Sequence, residues 1–265
     1  EIACEISGSQ TGRLVIGIPG LSANLRSFDV IYAALDGARH RKLAFDPRGR
    51  GLSSDSGPGT YGWPSHARDI LAMGDRLGAP SFDLIGWSMG AWIAMVVAQT
   101  APTRVRRVVL IDGGGIPEES AIVPVYAGLD RLGTLYPSRE AFLSLARSLP
   151  HYHPWAPWER LFNYELVDVE GGVSFRTHKP APLEDEQYRL RQDPYALWPG
   201  LTMPVLLIRA AQQIPPSFGH ILSRGDYERF LREVPSSQGL EVEANHYTVG
   251  MNPEAATAIA AFLDT

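Results

Sequence analysis

The chain reads as an α/β fold: a mostly parallel central sheet, helices on both faces, and an inserted, mainly helical cap. Three observations carry this reading. Short apolar runs recur between stretches of helical spacing. No internal repeat or membrane-length apolar run interrupts them. A single interval, residues 113–202, breaks the rhythm. At 265 residues the chain is one large domain, or one domain with a substantial insertion, for typical domains of roughly 150 residues.

The first apolar run covers residues 13–18 and closes on Pro19-Gly20; the next are 41–46, 81–86 and 105–112. Residues 204–208 and 240–243 complete the strand pattern. Continuous apolar runs of this length suit strands buried on both faces, as in a parallel sheet. Between them, residues 28–35, 65–77, 91–100 and 227–234 place apolar side chains at helical spacing. Asn252-Pro253-Glu254 opens a last helix over 255–263, with Asn252 as N-cap and Pro253 in the tolerated first turn.

Residues 113–202 are too long for an ordinary loop. They hold helix-like segments at 124–135 and 139–149, a Pro/Trp segment at 151–158 and a hairpin pattern at 168–173. The expected division is a core of 1–112 and 203–265 with a cap of 113–202 over one end of the sheet. Open α/β folds place their ligands at that end.

Composition narrows the function. With 24 basic and 29 acidic residues the formal net charge is -5, which disfavours nucleic-acid binding through backbone electrostatics. The single cysteine, Cys4, excludes an intrachain disulfide and a multi-cysteine metal site. No apolar run reaches the roughly 18 residues of a membrane span. Residues 1–4 lack a basic region followed by an apolar one, so the expected location is cytoplasmic. A small-molecule substrate is the expected partner, with the oligomeric state open.

Gly86-Trp87-Ser88-Met89-Gly90 sits between a strand and a helix. Two glycines permit the sharp turn that lifts Ser88 out of the backbone. A serine hydroxyl needs a neighbouring base, and His246, after the last strand, is the candidate. The usual place for the orienting acid is the turn after residues 204–208, yet 207–216 contains no carboxylate and Gln213 carries no charge. Asp226, in the first turn of the next helix, suits a capping role better. Asp112 closes the strand expected beside the one that delivers Ser88, and is the stronger candidate. The amides of Met89 and Leu21 would bind an oxyanion, the latter because Pro19-Gly20 bends the chain inward. Asp46-Pro47-Arg48-Gly49-Arg50-Gly51-Leu52-Ser53 matches no nucleotide-binding loop. Contacts from Asp46 to Arg48 are expected to brace it beneath the site.

Together these motifs resemble the α/β-hydrolase superfamily, from residue 13 to residue 265. Gly86–Gly90 looks like its nucleophile elbow, the segment from Asp46 to Ser53 like its D-x-R-G-x-G-x-S loop, and Asn245-His246-Tyr247 like its catalytic histidine region. Two departures stand out. Pro19 replaces the usual histidine before the oxyanion turn, and Gln213 stands where most members carry the acid. A minority of the superfamily places the acid after the preceding strand. The step from Ser88 to Asp112 is similar to that arrangement in the branch hydrolysing acetamidomethylene-succinate, an acyclic amide. The resemblance implies a serine hydrolase acting on a small ester, lactone or amide without metal or cofactor. A carbon–carbon bond hydrolase or cofactor-free perhydrolase would use the same groups, and a ligand-binding protein with little turnover is the reading from another class. Epoxide hydrolases and haloalkane dehalogenases are disfavoured because their nucleophile is Asp.

Aromatic residues Trp87, Tyr126, Tyr152, Trp155, Trp158, Phe162 and Trp198 are the candidates for an apolar substrate pocket. Arg176, Arg189 and Arg191 are candidates for a substrate carboxylate, with surface placement the default. His151 and His153 lack the acidic or thiolate neighbours of a metal site.

Overall fold

The computed structural model describes residues 1–215 and 217–265. Its strands are β1 (Cys4–Gly8), β2 (Arg13–Ile18), β3 (His40–Phe45), β4 (Phe82–Trp87), β5 (Val105–Ile111), β6 (Leu166–Val169), β7 (Gly172–Phe175), β8 (Val205–Ala210) and β9 (Ser237–Val242). Its helices are α1 (Asp29–Ala34), α2 (Trp63–Arg76), α3 (Met89–Thr100), α4 (Glu119–Asp130), α5 (Arg139–Arg147), α6 (Trp155–Glu165), α7 (Pro180–Arg189), α8 (Arg224–Glu233) and α9 (Pro253–Asp264). Seven strands form one sheet in the order β1-β3-β2-β4-β5-β8-β9, while β6 and β7 pair separately. Every neighbouring pair in the large sheet is parallel except β1 with β3.

Alternation along the strands supplies both faces with apolar side chains. Val15, Ile85, Val109 and Ile208 join a core with α1, α9 and much of the cap. Ile16, Leu84, Leu110 and Leu207 point the other way, into a core with α2, α3 and α8. Burial on both faces is what made these strands legible as unbroken apolar runs.

Register fixes the geometry of the site. Ile18 pairs with Gly86, Trp87 with Ile111, and Ile111 with Ile208. The carboxyl ends of β2, β4 and β5 therefore lie side by side, with Pro19-Gly20, Ser88 and Asp112 immediately beyond them.

The structure adds three elements to those expected. β1 is exposed at every residue and carries no apolar run; its backbone pairing with β3 makes it a strand. Helix α6 opens immediately after Pro154 and buries Trp158, Leu161, Phe162 and Glu165, a helical spacing masked in sequence by its prolines. Helix α7 buries Ala181, Pro182, Asp185 and Glu186, so it has no apolar stripe to read. Asn252 does cap α9, accepting from the Glu254 amide at 2.8 Å. Among the described residues no helix is long and apolar enough to cross a membrane.

Candidate active site

β4 ends at Trp87 and α3 begins at Met89, so Ser88 alone makes the turn, at φ 57° and ψ −121°. Such a conformation costs a non-glycine residue about 1–3 kcal/mol and persists where its surroundings enforce it. The two glycines permit that enforcement. A Cβ on Gly90 would lie 1.9 Å from the Ile18 carbonyl oxygen, and one on Gly86 would lie 2.2 Å from that of Gly90. The Ser88 amide donates to Ile111 O at 2.9 Å, tying the turn to β5.

Asp112, directly after β5, is the other non-glycine residue with positive φ among those described, at 44°. Its carboxylate is buried, with Oδ1 accepting the Ala210 amide at 3.0 Å and Oδ2 accepting His246 Nδ1–H at 2.7 Å. Ionised carboxylates only accept, which puts the proton of neutral His246 on Nδ1. Nε2 is left for the cavity, which Ser88 and His246 line together. The loop after β9 is held by Asn245, whose side chain accepts the Tyr247 amide at 2.8 Å, and by Trp87 Nε1–H donating to His246 O at 3.2 Å. Asp226 lies elsewhere, accepting the Ile116 amide at 2.9 Å and the Tyr195 hydroxyl at 3.0 Å. Gln213 is exposed, and Pro216 lies outside the described residues.

A Cβ on Gly20 would sit 3.4 Å from that of Ser88, so the turn after β2 closes on Ser88. Among the described residues the amides of Leu21 and Met89 have no hydrogen-bond acceptor in the protein. Asp46 braces its loop as expected, through the Leu52 amide, but Arg48 does not reach the turn after β2. Arg48 turns away to a two-pronged pair with Asp69 (2.8 and 2.6 Å) and to Thr60 O. Arg50 does the bracing instead: Nε and Nη2 donate to Leu21 O at 3.1 and 2.9 Å, and Nη1 donates to Arg48 O at 2.9 Å. This chain thus holds the turn after β2 with a guanidinium from the loop after β3.

Arg50 has a partner in the cap. Its Nη2 donates to Asp185 Oδ2 of α7 at 2.5 Å, with both side chains wholly buried. The same carboxylate accepts the Gly62 amide at 2.6 Å and His66 Nε2–H at 2.9 and 3.0 Å. Burial alone would raise the Asp185 carboxyl; Arg50 and His66 override it and hold the group well below its ordinary value. Asp46 is a second hub, accepting the amides of Leu25 (2.9 Å) and Leu52 (2.8 Å) and the Tyr164 hydroxyl (2.7 Å).

The cavity over Ser88 has a volume of about 80 Å³ and opens partly to solvent. Of the expected aromatics, Trp87, Tyr152 and Trp158 line it. Four do not. Tyr126 is exposed and donates to Glu186 at 3.0 Å. Trp155 lies under the Arg147 guanidinium, and Phe162 is fully buried behind Trp158 and Tyr152. Trp198 satisfies its indole N–H on Gly114 O at 2.8 Å and packs on Phe230, in the core of the opposite face. Aromatic identity signals burial without saying which core receives it. The lining also includes residues not assigned to the pocket from sequence, among them Val125, Gly128, Leu161, Tyr247, adjacent to His246, and Arg131, which no motif marks. Of the arginines considered for a substrate carboxylate, Arg189 lines a second hollow that also reaches Leu21, Ser88 and Met89, but is paired there with Glu186 at 2.6 Å; Arg176 donates to Tyr164 O, and Arg191 is exposed. Among the described residues no three His, Cys, Asp or Glu side chains gather as a metal-binding set.

A family profile described as alpha/beta hydrolase fold matches residues 13–212. The 2-(acetamidomethylene)succinate hydrolase of Mesorhizobium japonicum is 26% identical over 271 residues, covering 100% of this chain and 92% of that protein. A crystal structure of E-2-(acetamidomethylene)succinate hydrolase superposes with a TM-score of 0.86 at 25% identity, covering 100% and 95% of the two chains. N-formylmaleamate deformylase of Pseudomonas putida is 35% identical over 101 residues, 38% of this chain and 37% of that protein. The chain spans roughly two fifths of the length of the first curated relatives that it matches.

Proposed function

The chain belongs to the α/β-hydrolase fold family, and from that membership we propose that it is a serine hydrolase cleaving a small carboxylic ester, lactone or amide through an acyl-enzyme on Ser88. The observation that carries this reading is the 2.7 Å hydrogen bond between His246 and Asp112 at the rim of the cavity that Ser88 lines. As Ser88 Oγ bonds to the substrate carbonyl carbon, His246 Nε2 takes its proton. The imidazolium so formed is stabilised by Asp112, which keeps the ring in the Nδ1–H tautomer beforehand. The oxyanion is received by the amides of Leu21 and Met89, which need not give up another acceptor. Collapse breaks the bond to the leaving group, which departs with the proton from His246. Water then attacks the ester, its proton passing to His246 and on to Ser88 as the acid product leaves.

An amide substrate is supported by the names of the relatives, which denote an amide-derived succinate and a formamide. The test is a panel of short esters, lactones and amides with the wild type, Ser88→Ala and Asp112→Asn. Ser88→Ala is expected to lose turnover and labelling by a fluorophosphonate. Asp112→Asn is expected to lose about 10⁴-fold in kcat while keeping its fold, because the wrong tautomer is presented to the serine. Undiminished hydrolysis by Ser88→Ala would sink the reading. Labelling of Ser88 without turnover of any panel member would favour the binding-protein alternative.

A further inference from the structure

The cavity over Ser88 is lined by one cationic side chain that has no ion-pair partner among the described residues. Arg131 follows α4, and its guanidinium is wedged against Phe162 and Phe175, with its central carbon 5.7 and 5.2 Å from the two ring centres. Packing against aromatic faces leaves the in-plane donors as the only outlet for its hydrogen bonds. Nη2 donates to Ser22 Oγ, a neutral acceptor, at 3.2 Å. Nη1 lies beside Gly128, where a Cβ would approach it to 2.9 Å, and both residues line the cavity. Nε is buried and has no partner among the described residues.

Other arginines around the site differ. Arg48, Arg50 and Arg189 each sit within 2.6 Å of a carboxylate oxygen. Among the described residues no acid lies within ion-pair distance of Arg131, and none lines its cavity. Glu165 feels the charge of Arg131 from beyond ion-pair distance, while its oxygens accept from Asn24 Nδ2 at 3.0 Å and the Thr177 amide at 2.8 Å. A cation partly withdrawn from water and without a direct ion pair makes the cavity attractive to anions. One planar guanidinium balances one unit of charge and matches the fork of a carboxylate.

We propose that Arg131 is the anion subsite of the active-site cavity, and that the substrate carries a carboxylate in addition to the bond that is cleaved. The substrate class rests on the hydrolase reading above; the anion subsite itself does not. Arg131 grips the carboxylate while Ser22, on the oxyanion turn, holds the guanidinium in place. The distance between substrate carboxylate and scissile carbonyl thereby becomes a selection rule.

Two substrate pairs test this: 4-nitrophenyl hydrogen succinate against its methyl ester, and 4-acetoxybenzoate against its methyl ester. They place the charge on the acyl side and on the leaving-group side respectively. Wild type is expected to prefer the charged member of at least one pair by about 10- to 100-fold in kcat/KM, chiefly through KM, the range of a charge-assisted hydrogen bond. In Arg131→Gln that ratio should collapse towards one, with Arg131→Lys in between. No preference in either pair, or a preference that survives Arg131→Gln, overturns the proposal. Calorimetric titration of the Ser88→Ala protein with succinate reads the subsite without turnover, and binding should weaken at least tenfold when Arg131→Gln is added. Succinate binding that depends on Arg131 in a protein that hydrolyses nothing would refute the hydrolase reading and leave the subsite standing. Turnover with no dependence on Arg131 would do the reverse.

Discussion

Replacing Asp185 by asparagine should damage both stability and turnover. The two carboxylate oxygens accept from Gly62 N, His66 Nε2 and Arg50 Nη2, all at 3.0 Å or less. An amide has one oxygen and sets two N–H groups among those donors, so at least one buried donor loses its acceptor and Arg50 loses its countercharge. Breaking a buried ion pair by removing one partner costs about 3–5 kcal/mol. For a chain of this size each kcal/mol lowers Tm by about 2–4 °C, so a drop of roughly 6–20 °C is expected. Arg50 also holds the Leu21 carbonyl, so the oxyanion turn should loosen. The kinetic loss should fall on kcat, between about tenfold and the 10²–10³ seen when an oxyanion donor is deleted outright, with KM changing less. Urea unfolding and steady-state kinetics on one preparation measure both. The sign of the pH effect follows from the lowered carboxyl: its stabilisation is fully present above the ordinary value of 3.8 and is lost as pH falls through the folded one. Asp185→Asn should lack that acid limb. A midpoint within about 0.5 kcal/mol of wild type and an unchanged kcat would refute the idea that α7 supports the oxyanion turn.

Two further outcomes follow from packing and burial. Gly90→Ala drives a Cβ into the Ile18 carbonyl at 1.9 Å, where both partners are backbone; it should cost at least about 2–3 kcal/mol, and an unchanged thermal midpoint would show that the elbow has slack. Burial, with a smaller contribution from Arg131, lowers the His151 imidazole from 6.5 to about 4. The unfolded chain then binds more protons than the fold across that window, so stability should decline as pH falls from 6.5 towards 4. Urea midpoints at pH 7 and pH 4.5 for wild type and His151→Gln should converge in slope once the imidazole is gone; identical pH dependence in both proteins would assign the decline to other groups.

Sequence legibility tracked the kind of force at work. Strands β2 to β5 and β8 are buried on both faces, and the hydrophobic effect writes such strands as apolar runs. β1 is placed by backbone pairing with β3 and by Glu5 pairing with Arg26, neither of which leaves an apolar run. The elbow at Ser88 was readable because close backbone approach demands glycine at two fixed places. Asp112 emerged because a carboxylate at the end of an apolar strand calls for a reason, and its neighbour proved to be His246. The cap was legible in part: α4, α5 and the β6–β7 hairpin overlap the segments read from sequence, whereas α6 and α7 open at prolines or bury polar groups, and the position of Arg131 depends on how the helices stack rather than on local pattern. Arg50 occupies a variable position of a loop motif, and only its geometry reveals that it supports Leu21.

The handshake between Arg50 and Asp185 has a consequence for anyone who recombines members of this family. A roof transplanted from a relative would bring its own side chain to position 185, and a hydrophobic one would strand a guanidinium that the foundation cannot hydrate. Chimeras should therefore work when roof and loop are inherited as a pair, and fail when either travels alone.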